Sequence, residues 1–214
     1  LRKQVFEKQQ RDRKRSVIVD SNLFLSYDKG NTNKFLRYSY DGIFPNTGEY
    51  CNDNPNPARW DLIRSKLGIE LKPWKKTDGF ILIACQRDGG WSMDGQALMP
   101  WLVKTITTTK KYSDRPILVR FHPGDKNIIN HKRQLARYRL KDVQISDSDN
   151  ILTDLQKSYA LINYNSSPSV VAAIEGVPIF VLDPNRSQAA PVAHTELSQL
   201  ENIKYFDRDR WILQ

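Results

Sequence analysis

Cysteine, histidine and methionine are scarce: two Cys, three His and two Met in 214 residues. Cys51 and Cys85 are too few for a disulfide framework or a cysteine-based zinc site, so no metal is expected. No apolar run approaches the ~20 residues that a transmembrane helix needs, and no signal-peptide pattern opens the chain. These absences read as a cytoplasmic protein with no membrane partner. The fingerprint G-x-G-x-x-G is missing, and so is G-x-x-x-x-G-K-S/T, so NAD-driven and ATP-driven chemistry lack their usual support. Disorder is excluded by what is present: 39% of residues are hydrophobic, 10% are aromatic, and five are Trp. At this length roughly 70% of the unfolded chain's surface can be buried, so a real core is expected.

Positive charge is in excess. Lys and Arg number 33 against 24 Asp and Glu, for a net charge of +9. Residues 1–15 hold seven basic and two acidic side chains, hence +5, and the other 199 residues carry +4 (26 minus 22). The plain reading of such a run is a solvated helix or arm. The sharper one is a footprint for a polyanion, nucleic acid or a charged glycan, with Arg11, Arg13, Lys14 and Arg15 as contacts. Lys132 and Arg133, in a second basic stretch, are candidates for the same role. The chain opens at Leu1 rather than Met, which fits a fragment or a processed chain.

Residues 1–78 read as a partial segment. A β-branched run ends at Asp20, and FLRYSY reads as a strand with Leu36, Tyr38 and Tyr40 on one face. Residues 41–57 are loop-like, with four Asn, two Gly and three Pro. Pro57 is placed to open a helix whose apolar spacing runs through Trp60, Ile63 and Leu67 to a stop at Gly68. After Gly79 the rhythm changes. FILIAC, PILVRF, VQIS, ALINY and PIFVLD are apolar runs of strand length separated by helical stretches. Continuous apolar strands alternating with helices indicate a parallel sheet covered on both faces. Residues 79–214 therefore read as a Rossmann-like α/β domain. Asp147-Ser148-Asp149 has the form of a metal-binding D-x-D, but its place before a helix makes Asp147 or Asp149 an N-cap.

In an open parallel sheet, ligands bind beyond the carboxyl ends of the strands. Four loops fall there: 86–95, 122–126, 165–169 and 183–190. Asn165-Ser166-Ser167-Pro168-Ser169 joins a strand to a helix start, where free N–H groups, the helix dipole and hydroxyls suit a phosphate. Plain N-capping by Ser167 with Pro168 at the first helical position also explains part of it. In HPGDK, His122 can donate to a phosphate or base oxygen, and a bound anion would hold it protonated. Gly124 shares a turn with Pro123, and Lys126 adds a mobile charge. In QRDGGWS, Gly89 and Gly90 permit close backbone approach, and Arg87 can clamp a phosphate through its fork of donors.

VRFHPGDK and the later INYNSSPSVVAAIEGVPIFVLD resemble the nucleotide-binding half of GT-B glycosyltransferases, in the branch with an His-Pro and a Ser-Ser motif. That branch includes sialyl-, Kdo- and polyol-phosphate transferases. The longer string KPW…ILIACQRDGGWSM…DRPILVRFHPGDK…NYNSSPSVVAAIEG is also similar to glycosyltransferase-like proteins of tailed bacteriophages. Some phage enzymes of this kind attach sugars to hydroxymethylated pyrimidines in viral DNA. The likeness covers residues 72–214 well and 1–71 loosely.

The resemblance implies a GT-B donor half preceded by an acceptor-side segment, and no tightly bound cofactor. It implies a UDP-, CMP- or similar nucleotide sugar as co-substrate. His122 would contact the nucleotide phosphate or base, and Ser166 and Ser167 the donor phosphates. Many GT-B enzymes hold the ribose with a Glu about five residues before the Gly of a G-x-P-V/I ending. Val171 stands there in this sequence, leaving Glu175 as the substitute, while Ser187 and Gln188 are candidates to meet sugar or phosphate. The implied activity is sugar transfer to an acceptor hydroxyl, preferably of a 5-hydroxymethylpyrimidine in DNA. A cell-surface polysaccharide is the alternative acceptor, and a non-catalytic nucleic-acid-binding module the alternative function. An inverting enzyme needs a base, for which Asp20 has the right type; a strand-end Asp opening a turn explains it equally. A retaining enzyme needs none. Both mechanisms stay open, as does an inactive half, because GT-B enzymes pair two Rossmann-like domains and residues 1–78 are too short for one.

Overall fold

The computed structural model describes residues 2–28 and 31–214, and the chain forms two compact units. One runs to Ile69 and takes in Asp209–Gln214; the other is Glu70–Arg208. In the first, α1 (Arg2–Arg11) leads to an antiparallel ribbon of β1 (Val17–Asp20) and β2 (Arg37–Tyr40). Tyr38 and Tyr40 share a face, as their spacing indicates, and that face is the outer one. Ser39 is the buried residue of β2, its hydroxyl donating to the Gly42 carbonyl, while Tyr38 and Tyr40 are exposed. Alternation reveals that residues two apart share a face, but not which face meets water.

Helix α2 (Pro57–Leu67) begins and ends as its sequence signals indicate. Asn56 Oδ1 accepts the Ala58 N–H at 3.0 Å, Pro57 occupies the first turn where its missing donor costs nothing, and Gly68 closes the helix at φ 62°. Trp60 is buried and packs on Phe24, with Phe24 edge-on to Phe35.

The second unit is a five-stranded parallel sheet. Its strands are β3 (Phe80–Ala84), β4 (Ile117–Arg120), β5 (Val143–Ile145), β6 (Ser158–Asn163) and β7 (Ile179–Val181), in the order β5-β4-β3-β6-β7. Helices α3 (Leu98–Thr109) and α4 (Ile128–Arg137) cover one face, where Ile81, Ile83, Ile117, Val119 and Ile162 meet Leu98, Leu102, Ile106 and Leu135. Helices α5 (Ile151–Gln156) and α6 (Pro168–Ile174) belong to the other. Strands buried on both sides have no polar face to alternate with, hence their continuous apolar runs. A last short helix, α7 (Asp209–Leu213), belongs to the first unit, where Asn52 Nδ2 donates to the Gln214 carbonyl at 2.7 Å.

The cap of α5 differs from the expectation. Asn150, not Asp147 or Asp149, accepts the Leu152 N–H, at 3.0 Å. The preceding turn instead wraps Arg120: the guanidinium donates to Asp154 at 2.7 Å, to the Ser148 carbonyl at 2.8 Å and to the Asp149 carbonyl at 3.1 Å. Arg120 and Asp154 are both nearly enclosed, and the extra carbonyl acceptors supply what a buried pair needs to offset its desolvation.

Residues 70–78 strap the amino-terminal edge of the sheet. The Lys72 N–H donates to Ile174 O at 2.9 Å, and the Lys75 N–H to Gly176 O at 2.6 Å. Arg208 lies over the Trp74 ring at 3.9 Å and donates to the carbonyls of Lys72 and Ala173. Gly176 makes this approach possible: it sits at φ +75°, and a Cβ there would lie 2.0 Å from Pro73 O. Gly176→Ala combines left-handed strain with a backbone clash and should cost roughly 2–4 kcal/mol. Urea unfolding measures it; a loss under about 1 kcal/mol would show that the strap shifts freely.

Candidate functional site

The chain runs outward from β3 through β4 to β5, then returns to β6 beside β3. Loops leaving β3 and β6 therefore diverge, and a crevice opens at their carboxyl ends. Several loops are tied together there. Gln86 Oε1 accepts the Asn165 N–H at 3.0 Å, joining the loop after β3 to the loop after β6. Asn165 Nδ2 donates to Ser92 O at 3.0 Å and to Asp183 Oδ2 at 2.8 Å. Arg186 Nε donates to the same Asp183 oxygen at 2.6 Å. Asn165 thus braces three loops, spending its amide on protein groups.

On the other side of β3, Arg87 lies against the turn after β4. A Cβ on Gly124 would stand 2.8 Å from Arg87 Nη2 and 3.1 Å from Nε, so the guanidinium rests directly on the glycine backbone and a side chain there would displace it. Half-buried His122 accepts the Gly124 N–H at Nδ1, at 2.9 Å. Its proton is therefore on Nε2, and the ring is a neutral donor. Burial first, and the charge of Arg87 second, hold its pKa below the ordinary imidazole value, against the opposing pull of Asp125. Lys126 is exposed in the same turn.

Behind both loops lies buried His131, on the apolar stripe of α4 with Ile128 and Leu135. Its Nε2 is 3.6 Å from Asp88 and its Nδ1 3.2 Å from Asp125. Asp88 caps the start of α3 through the Leu98 N–H at 2.8 Å, and Asp125 takes the Asn127 N–H at 2.8 Å. Among the described residues no group of three or more His, Cys, Asp or Glu is arranged to hold a metal ion. The neighbouring Cys85 thiol is pushed well up by burial, so it is held neutral.

Ser166 and Ser167 differ in what they offer. Ser166 Oγ accepts from Asn163 at 3.1 Å, and its carbonyl takes the Ser169 hydroxyl at 2.7 Å. Ser167 is exposed, has helical backbone angles (φ −56°, ψ −23°), and makes no side-chain cap. The capping role considered from sequence is therefore not filled by this hydroxyl. Helix α6 has only seven residues, so what this loop offers an anion is local groups rather than a long helix's dipole.

The remaining candidates scatter. Gly89, at φ +59°, has open space where a Cβ would project, while Gly90 has an ordinary φ of −68°. Ser187 is buried, its hydroxyl accepting from the Ala189 N–H at 3.3 Å, beside half-buried Gln188. Glu175 is not brought to this edge: at the far end of α6 it is buried against Lys72, 2.5 Å away. Lys132, on α4, is 3.9 Å from Asp147, and Arg133 is exposed. In the other unit, Asp20 is ion-paired across the ladder with Arg37, and Arg15 with Asp41 and Glu49; Arg11, Arg13 and Lys14 are exposed. Two open hollows of about 570 and 710 Å³ lie near the opposite, amino-terminal edge, by Pro116 and Tyr159. Arg115, between them, is 3.5 Å from Asp78 and 3.3 Å from Glu201, so its charge is used within the chain.

Sequence reasoning missed Gln86, His131, Asp183 and the exposed Trp91. The stripe Ile128–His131–Leu135 was available as a sign that His131 faces inward.

No protein-family model matches this sequence, and no curated protein matches it. Solved structures do. The KpsC beta Kdo 2,4 transferase of Thermosulfurimonas dismutans aligns with a TM-score of 0.54 at 15% identity, over 83% of this chain and 63% of that one. The beta Kdo 2,7 transferase of the same organism's KpsC gives 0.53 at 13%, over 90% and 73%. The chain has the GT-B-like Rossmann fold. UDP-GlcNAc 2-epimerase of Methanocaldococcus jannaschii aligns at 0.44 and 13%, over 64% of this chain, and at that level carries no argument. This chain spans 44% of that epimerase and 63% of the 2,4 transferase. Among the described residues, no helix is long and apolar enough to cross a membrane.

A histidine whose folded pKa is depressed binds fewer protons folded than unfolded, so its contribution is fully present above about pH 6.5 and is lost on acidification. His122→Gln should therefore lose less Tm than the parent between about pH 7.5 and 5.5. Parallel melting curves in the two proteins would remove this account of His122.

Proposed function

We propose that the carboxyl edge of this sheet binds a nucleotide sugar and that the chain serves glycosyl transfer to an acceptor hydroxyl. The observation that carries this reading is the seating of Arg87 on Gly124 beside His122, one strand away from the Gln86–Asn165 brace. The two turns are separated by two strand spacings, about 10 Å, a span that a sugar diphosphate can bridge. Arg87 and Lys126 supply fixed and mobile positive charge, and His122 Nε2–H a neutral donor. Ser167 adds an uncommitted hydroxyl on the β6 side.

In transfer, the bond from the anomeric carbon to a phosphate oxygen breaks and a bond to the acceptor oxygen forms. The negative charge developing on the departing phosphate is what preorganised donors of this kind stabilise. The acceptor proton must go to a base; Asp20 is held by Arg37, and the donor-site reading does not depend on it. Support for the reaction class comes from the fold shared with two Kdo transferases. The acceptor reading is a 5-hydroxymethylpyrimidine in DNA, favoured by the exposed Arg11, Arg13, Lys14 and Arg133, with a polysaccharide as the alternative.

Thermal shift and calorimetry against UDP- and CMP-sugars test the site. One nucleotide should stabilise the chain, and Arg87→Ala or His122→Ala should each weaken it about 10- to 100-fold. Unchanged affinity in both variants would remove the assignment. Stabilisation by DNA alone, falling with salt, would favour the non-catalytic module.

A further inference from the structure

One face of the β1–β2 ribbon is apolar and open to water. Val17 is 64% exposed, Val19 53%, Tyr38 61% and Tyr40 39%. The ladder sets Val17 opposite Tyr40 and Val19 opposite Tyr38, so the four side chains form one contiguous patch. We propose that this patch is a stacking platform for single-stranded DNA. The assignment goes beyond the nucleotide-sugar site and holds whether or not that site exists.

Three observations select this occupant. Tyr38 and Tyr40 lie two residues apart on one strand, about 6.8 Å, a spacing that lets successive unstacked bases meet the Tyr38 ring and the Tyr40–Arg15 stack. Exposed Arg11, Arg13 and Lys14 lie three to six residues before Val17, where they can follow a phosphate backbone leaving the patch. Arg15 lies over the Tyr40 ring at 4.4 Å and ion-pairs with both Asp41 and Glu49, so its charge offsets one of the two that these carboxylates would turn on a phosphate.

Size argues against a second copy of the chain. Four partly exposed side chains offer roughly 400 Å², about half of what each partner gives to a standard interface. The valines favour DNA over RNA. They suit the thymine methyl and the deoxyribose, and beyond the tyrosine hydroxyls the four side chains offer a ribose 2′-OH nothing to bond.

The test is fluorescence anisotropy with a labelled oligothymidylate of about 20 nucleotides, and an oligouridylate of the same length beside it. Oligothymidylate should bind more tightly, with affinity falling as salt rises. Tyr38→Ala should weaken binding roughly 5- to 100-fold with Tm unchanged, while Tyr38→Phe, which keeps the ring, should restore it. Arg13→Gln with Lys14→Gln should flatten the salt dependence. The proposal is overturned by no binding at low salt, or by Tyr38→Ala binding as well as the parent. Oligouridylate binding equally tightly would overturn the choice of DNA. Self-association abolished by Tyr38→Ala, without oligonucleotide binding, would give the face to a second copy instead.

Discussion

A single backbone-to-amide hydrogen bond, Asn165 N–H to Gln86 Oε1, sits where the strand order reverses, and the carboxyl edge of the sheet is organised around it. A crevice at this point exists because the loops on either side leave in opposite directions; without a tie across its floor they would be independent. Both partners are nearly enclosed, with Gln86 3% and Asn165 7% exposed. A lone buried amide is costly to leave unpaired, so the bond is strongly favoured once the strands pair. From Asn165 the tie passes to Ser92, Asp183 and Arg186, and from Gln86 the chain continues directly into Arg87.

The same logic explains why the two ends of α6 have different characters. Its beginning carries an uncapped, exposed serine, and its end is buried under the 70–78 strap, with Glu175 neutralised by Lys72. A carboxylate that supplies the counter-charge to a strap at one edge is out of reach of the loops at the opposite edge. Strand-to-helix connections at one edge are left open, and helix-to-strand connections at the other hold the unit together. Arg208 and Trp74 belong to the second class, their stack and hydrogen bonds closing the amino-terminal edge.

Much of the second unit was legible because its signals are local. FILIAC and PIFVLD are apolar without alternation, and only burial on both faces explains that. Pro57 and Gly68 mark a helix through φ preferences that need no tertiary context. The loops at the carboxyl edge followed from the alternation of strand and helix. Partners distant in sequence were not legible: nothing in Gln86 announces a bond to a residue 79 positions away, and nothing in Glu175 announces Lys72. The caps of α5 show a subtler limit. Asp147, Asp149 and Asn150 are all competent caps, and the choice is set by Arg120, whose guanidinium claims the carbonyls of the turn.

The exposed ribbon and the buried His131 are mirror cases of one ambiguity. Periodicity groups side chains by face, and composition then suggests which face is inside; the second step fails when chemistry and burial disagree. Tyr38 and Tyr40 are aromatic and yet are in water, while the small hydroxyl of Ser39 finds a carbonyl to bond and is buried. His131 looks like part of a solvated basic helix and is enclosed, because two carboxylates and the Phe121 ring, 6.2 Å away, surround it. In each case the deciding partner comes from another segment of the chain. That partner also organises its surroundings: Asp125, beside His131, accepts the Asp88 N–H at 3.4 Å and so joins the loops that carry Arg87 and His122, and the Gly42 carbonyl that takes the Ser39 hydroxyl leaves two rings facing outward.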